Sequence, residues 1–298
     1  MQRFVITSLN QTINTSPCSI ALGNFDGVHL GHRALLQAAQ ETEYTPAVFT
    51  FTEEVKNFLT TTEDRADKIK QNGIQLLFLA SFSIIKGMSC EEFVLFLKEK
   101  LACRHVICGF NFHFGKGAVG DCQTLATLAE RFGMACTVLP QVSKQDDAVS
   151  SSRIRALLAK GEIETANILL GTPYAISGTV QKGYSIGRRL QVPTINLPIA
   201  AGAAPICYGV YVSRTKIDGV FYPSITNVGK NPTFDRETAT CETYLLDTCG
   251  DFYEKSATVQ LLSFLREEKR FDSFDALKEA IEKDLVSARS YHQTHQEI

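Results

Sequence analysis

Five short apolar runs, each set off from the next by a stretch of helical spacing, leave this chain few folds to choose from. Ser19 to Leu22, Pro46 to Phe51, Ile74 to Leu79, His105 to Cys108 and Ala135 to Leu139 have strand length and strand composition. Between them lie Leu30 to Gln40, a polar helix over Asp64 to Asn72 with Gly73 as its C-cap, a helix from the Ser89-Cys90-Glu91-Glu92 capping box to about Lys100, and Cys122 to Phe132. Strands separated by whole helices pair in parallel, because a hairpin connection is too short to hold a helix. The helices then cover both faces of the sheet, and ligands bind at the carboxyl ends of the strands. The expectation is an α/β, doubly wound parallel-sheet domain.

The segment Gly23 to His32, GNFDGVHLGH, joins the first of these strands to the first helix. A turn there, over Gly23, Asn24, Phe25, Asp26 and Gly27, brings backbone N–H groups and the positive end of a helix dipole to one point, which suits phosphate. His29 and His32 are three residues apart and can face the same way on the first helical turn, and Gly31 leaves room for close approach. Two imidazoles aimed at an anion can donate to an oxygen that gains charge when a phosphoryl centre is attacked, which is nucleotidyl-transfer chemistry. An isolated H-x-x-H is equally a zinc pair or two surface histidines; the glycine-rich turn directly after a strand favours the anion site.

Two further segments of this half contain anion-binding elements. Ser150 to Arg155 heads a helix reaching about Lys160, so the hydroxyls of Ser151 and Ser152 with Arg153 and Arg155 form a second phosphate clamp, or else an N-cap with solvated arginines. Gly115-x-Gly117-x-x-Gly120 imitates a dinucleotide fingerprint but does not follow its strand directly, and Lys116 is followed by glycine, which also rules out a P-loop.

After Leu170-Gly171-Thr172-Pro173 the rhythm changes, so the domains are read as 1–170 and 171–298. Tyr174 to Val180, Tyr208 to Ile217, Val220 to Val228, Cys241 to Asp247 and Ala257 to Phe264 are strands, with Asp218-Gly219 as a hairpin turn. They suggest an antiparallel β-barrel crossed by a final amphipathic helix, Ser273 to Arg289, with Phe274, Leu277, Ile281 and Leu285 on one face. His292 and His295 read as a frayed tail. Gly178, Gly183 and Gly187 free backbone amides for phosphates, and Thr194 and Asn196 offer hard oxygens suited to Mg²⁺; turn and strand residues with ordinary caps are the plainer alternative.

A length of 298 residues accommodates two such domains, and 44% hydrophobic with 21% charged residues is the balance of a globular chain. A net charge of −2 gives no general attraction to nucleic acid or anionic membrane, so neither is an expected partner. The opening MQRFVITSLNQTINTS holds no apolar core for a signal peptide and no later run approaches a membrane span, so a cytoplasmic location is expected. The nine cysteines, without a C-x-x-C pair, read as reduced buried thiols, and oligomeric state is left open, a homo-oligomer included.

GNFDGVHLGH resembles the HxGH signature of nucleotidylyltransferases in the form carried by the bacterial bifunctional riboflavin kinase/FMN adenylyltransferase (FAD synthetase) family. The likeness extends over almost the whole chain. Gly109 to Gly115 is similar to the family's G-x-[DN]-F-x-F-G loop, with Asn111 at the nucleotide and flavin site. Ser150 to Arg155 is similar to S-S-T-x-I-R, with Ser152 in the threonine place. Gly183 to Asn196 is similar to the kinase signature ending in P-T-A-N, with Gln191 for a glycine and Ile195 for the alanine. The resemblance implies a riboflavin kinase in the barrel with Glu242 as catalytic base, an FMN adenylyltransferase in the α/β domain, and riboflavin, FMN, FAD and Mg-ATP as its small molecules. A kinase with a weakened adenylyltransferase, or a flavin-binding regulator, is the alternative. The family's F-x-P-H-P is replaced by Phe51-Thr52-Glu53-Glu54-Val55, which puts a carboxylate where a phosphate donor is implied and leads us to expect the slower of the two activities in the α/β domain.

Overall fold

The computed structural model describes residues 1–144, 147–181, 194–230, 239–248 and 250–295. The chain divides into two compact units, Met1–Ser151 and Ser152–Ile298.

The first unit runs β1 (Gln2–Ile6), β2 (Cys18–Leu22), α1 (Leu30–Gln40), β3 (Thr45–Phe51), α2 (Thr62–Gln71), β4 (Leu76–Ala80), α3 (Phe82–Ile85), α4 (Cys90–Lys100), β5 (Cys103–Gly109), α5 (Cys122–Arg131) and β6 (Ala135–Leu139), then a small pair, β7 (Ser143–Lys144) and β8 (Asp147–Ala148). The six long strands form one parallel sheet in the order β1-β4-β3-β2-β5-β6. Alternate side chains of the same strand feed opposite layers. Ile20 and Leu22 of β2 pack with Phe93, Val94 and Leu97 of α4 and Leu125 of α5. Ala21, between them, packs with Leu36 of α1 and Ile69 of α2. The doubly wound expectation holds, and the differences are local; α3, β7 and β8 are short additions to it. β1 was not foreseen, because a strand on the sheet's edge buries little: of its residues only Ile6 is fully buried. The fourth strand begins at Leu76 rather than Ile74.

Sheet order decides where the site is. The chain steps outward from β2 to β3 and β4, then returns to the other side of β2 as β5 and β6. β2 and β5 are therefore neighbours whose connections leave in opposite directions, and the crevice at their carboxyl ends is the switch point at which open α/β sheets bind ligands. The turn 23–29 follows β2 and the loop 110–121 follows β5, so both sequence motifs leave this edge.

In the second unit α6 (Ser151–Lys160, its first residue the last of unit one) and α7 (Ile163–Leu170) precede β9 (Tyr174–Thr179), β10 (Thr194–Pro198), β11 (Gly209–Ile217), β12 (Val220–Lys230), β13 (Ala239–Leu245), β14 (Ser256–Glu267) and α8 (Phe274–Thr294). The strands make one antiparallel sheet, β10-β13-β12-β11-β14-β9, which curls until its end strands meet at a bridge between Gln181 and Asn196. Asp218 and Gly219 both take positive φ, 51° and 86°, as the hairpin between β11 and β12 requires. Facing inward, Ser213, Thr215, Ser224, Thr226 and Thr243 bond to one another at 2.7–2.8 Å, so the buried hydroxyls of three strands are mutually satisfied.

α8 packs on the outer face, against Val212, Ile225 and Tyr244. It runs beyond the expected Arg289, and His292 is no frayed tail: its Nε2 lies 3.0 Å from the Ser213 carbonyl oxygen. Phe274, expected on the apolar face, is exposed, while Asp284 is buried in an ion pair with Arg266, whose Nη2 is 2.7 Å from Oδ2. All eight described cysteines are free thiols, but Cys90, Cys122, Cys136 and Cys207 are only half-buried.

Candidate active sites

The first site is built on the turn after β2. Phe25 and Val28 adopt left-handed φ of 53° and 46° and are fully buried, and Gly27 has φ 83°. Such backbone costs energy in non-glycine residues and persists where the surroundings over-determine it. Here the surroundings are explicit. Asp26 Oδ1 accepts from the Leu59 N–H at 2.8 Å and the Thr60 N–H at 3.1 Å, Gly27 N–H donates to Thr60 Oγ1 at 3.1 Å, and Ser151 Oγ donates to the Asp26 carbonyl at 2.9 Å. Asp26 and Gly27 thus serve the neighbouring loop rather than offering Oδ1 or the amide to a phosphate, and Gly23 N–H faces the Phe49 carbonyl at 3.4 Å. Asn24 remains exposed at the turn's rim, and Asn111 is exposed after β5.

His29 is the N-cap of α1 rather than a member of its first turn. Its Nδ1 accepts from the His32 N–H at 3.3 Å. The two imidazoles stack, centroids 3.7 Å apart and 12° from parallel, and Phe25 lies against His32 at 5.1 Å. A lone pair on His29 Nδ1 places that ring's proton on Nε2. His32 Nδ1 is sealed from solvent without a partner, and a bare lone pair there is less costly than a buried, unpaired N–H, so this ring too is assigned the Nε2–H tautomer. Burial, then His29, then Arg65 hold His32 well below the ordinary histidine range, so it is neutral. Gly31 is explained by the same stack: a Cβ there would stand 3.2 Å from His29 Cε1.

Arg65 of α2 is a residue that sequence reasoning missed, since an arginine in a polar helix reads as solvated. It is 2% exposed, and its guanidinium donates to the carbonyls of Phe51 at 2.6 Å and Asn24 at 3.2 Å. Glu54 also differs from the simple reading, because its Oε1 accepts from the Thr62 N–H at 3.0 Å, at the amino end of α2. Neighbouring Glu53 accepts from Phe82 N–H, at the start of α3. Ser152, Arg153 and Arg155 follow Ser151 on the first turns of α6.

The second site lies on three adjacent strands. Glu242 of β13 is paired in register with Asn196 of β10 on one side and Asn227 of β12 on the other. Thr194 Oγ1 donates to Glu242 Oε1 at 2.7 Å. Asn196 Nδ2 is buried with no partner. The three expected kinase residues are thus brought together although 48 positions separate Thr194 from Glu242. Gly178 is not part of a glycine turn: it lies inside β9, in register with Ala257. Gly183 and Gly187 lie outside the described residues.

Residues 11–153 match the family model described as FAD synthetase, and residues 170–292 the one described as riboflavin kinase. The chain is 33% identical over 291 residues to the bifunctional riboflavin kinase/FMN adenylyltransferase of Bacillus subtilis, covering 91% of this chain and 92% of that protein. It is 35% identical over 288 residues to the protein of the same description from Pseudomonas fluorescens, covering 92% of each. Among solved structures, one titled a macrolide-efflux protein from Streptococcus pneumoniae is similar with a TM-score of 0.88 and 27% identity, over 96% of this chain and 98% of that one. Among the described residues, no helix is long and apolar enough to cross a membrane.

Proposed function

The chain belongs to the bifunctional riboflavin kinase/FMN adenylyltransferase family, and from that premise we propose which residues carry each of its two reactions. It phosphorylates riboflavin to FMN and adenylylates FMN to FAD, with ATP as donor in both steps.

In the kinase half, taken as 171–298, Glu242 is the general base that accepts the proton of the ribityl hydroxyl, and Thr194 orients its carboxylate through the 2.7 Å bond. Mg²⁺ fits this donor set. Thr194 and Asn196 offer hard side-chain oxygens beside Glu242, and the unpartnered Asn196 Nδ2–H is a donor suited to a phosphate oxygen of the nucleotide that the ion accompanies. When bound with ATP, the ion neutralises phosphate charge as the transfer proceeds.

In the adenylyltransferase half, taken as 1–170, His29 and His32 present two Nε2–H donors to the α-phosphate. The FMN phosphate oxygen attacks the α-phosphorus and pyrophosphate leaves, so catalysis consists of positioning and charge stabilisation. Ser151 holds the departing phosphates, and Asn24 and Asn111 border the nucleotide. The observation that carries this reading is the stacked histidine pair at the amino end of α1, with His32 neutral, at the sheet's switch point. Riboflavin, FMN and ATP are the proposed small-molecule partners, and the proposed location is the cytoplasm. Incubation with riboflavin and Mg-ATP, followed by separation of the flavins, should yield FMN and then FAD; binding without turnover would make the protein a flavin-binding regulator.

A further inference from the structure

Burying an arginine costs several kcal/mol unless its donors and its charge are both compensated. Arg65 is buried on two main-chain carbonyls, and these belong to different elements: Asn24 opens the turn after β2, and Phe51 ends β3. Thr50 Oγ1 reaches the same Asn24 carbonyl at 3.1 Å. A planar fork with fixed donor directions is the side chain that can bridge two such acceptors; an ammonium is a point donor.

We propose that Arg65 is a positioning residue for adenylyl transfer: its guanidinium clamps the exits of β2 and β3 together and so fixes the turn that carries His29 and His32. This rests on the assignment of that turn to adenylyl transfer. The charge has a second effect. The charged and titratable groups of the elements packed here are Asp26 in the turn, His29 and Arg33 at the start of α1, Glu54 after β3, and Asp64 and Lys68 on α2. Asp26 and Glu54 attract Arg65, while Arg65 and His29 disfavour a proton on His32. A neutral His32 is the form the tautomer assignment requires.

The test uses the full chain and reads FAD formation from FMN and Mg-ATP, with FMN formation from riboflavin as the control in the same preparation. Arg65→Met should lower kcat for FAD formation about 10²-fold, with KM for ATP within about threefold of wild type. It should also move the acid limb of the kcat profile to higher pH, because loss of the positive neighbour lets His32 take its proton more readily. Arg65→Lys keeps the charge but not the fork, so kcat should fall while the acid limb stays in place. The kinase rate should be unchanged in both. Wild-type kcat in either variant overturns the proposal, as does a KM rise with kcat preserved. An acid limb that moves equally in both variants also overturns it. Loss of the first unit's melting transition in both variants would overturn it too, since Arg65 would then serve folding alone. His32→Ala separates the two levels: if FAD formation survives in that variant, the assignment of the turn has failed, whereas loss in His32→Ala with retention in Arg65→Met sinks only the role of Arg65.

Discussion

Glu54 provides the sharpest test of how the adenylyltransferase site is charged. A carboxylate about 4 Å from a phosphate oxygen, at an effective dielectric of about 20, repels it by about 4 kcal/mol, or about 10³-fold in rate. The structure places the group differently. Glu54 is exposed, and its Oε1 accepts the Thr62 N–H at 3.0 Å on the amino end of α2. In contact with water the same pair interacts by about 1 kcal/mol, and the positive helix end offsets about 0.3–1 kcal/mol of it. The remaining penalty is below about 1 kcal/mol, so Glu54→His and Glu54→Gln should raise kcat/KM for FAD formation by no more than about fivefold. Initial rates from FMN and Mg-ATP at several ATP concentrations give the number, and the time course from riboflavin shows whether FMN accumulates before FAD. A rise of about 10²-fold or more would mean that the carboxylate reaches the phosphates, and the account of its placement would be refuted.

Three further outcomes are expected. Glu242→Gln should depress FMN formation by about 10²- to 10⁴-fold while FAD formation from supplied FMN continues; normal kinase turnover would remove Glu242 from the mechanism. Gly31→Ala brings a methyl group to 3.2 Å from the His29 ring and should lower FAD formation about 10²-fold without touching the kinase, with an unchanged rate refuting the importance of the stack. Because His32 is held below its ordinary value of 6.5, the unfolded chain binds the proton first on acidification. The first unit's stability should therefore be present above about pH 6.5 and decline as pH falls from there through the depressed native value, a slope that thermal melts would show and that His32→Gln should flatten.

How much of this could be read from sequence depended on the range of the interaction involved. Strand and helix identity, the hairpin at Asp218-Gly219, the capping box at Ser89 and the turn before α1 are local matters of periodicity and backbone preference, and they were legible residue by residue. Residue type and spacing singled out His29, His32, Thr194 and Asn196, whereas Glu242 was picked out only by the family resemblance. The edge strand β1 was not legible, since a strand recruited by a neighbour's unpaired backbone needs little apolar signal of its own. Nor were the inward tasks of Asp26 and Gly27, whose partners Leu59 and Thr60 lie some 30 positions away in the chain. Arg65, Asp284 and Glu54 look alike in sequence, as polar residues on or beside helices. Only the packed structure sorts them into a buried clamp, a buried ion pair and an exposed helix cap, because burial and the identity of a charge's partner depend on which elements the sheet order brings together.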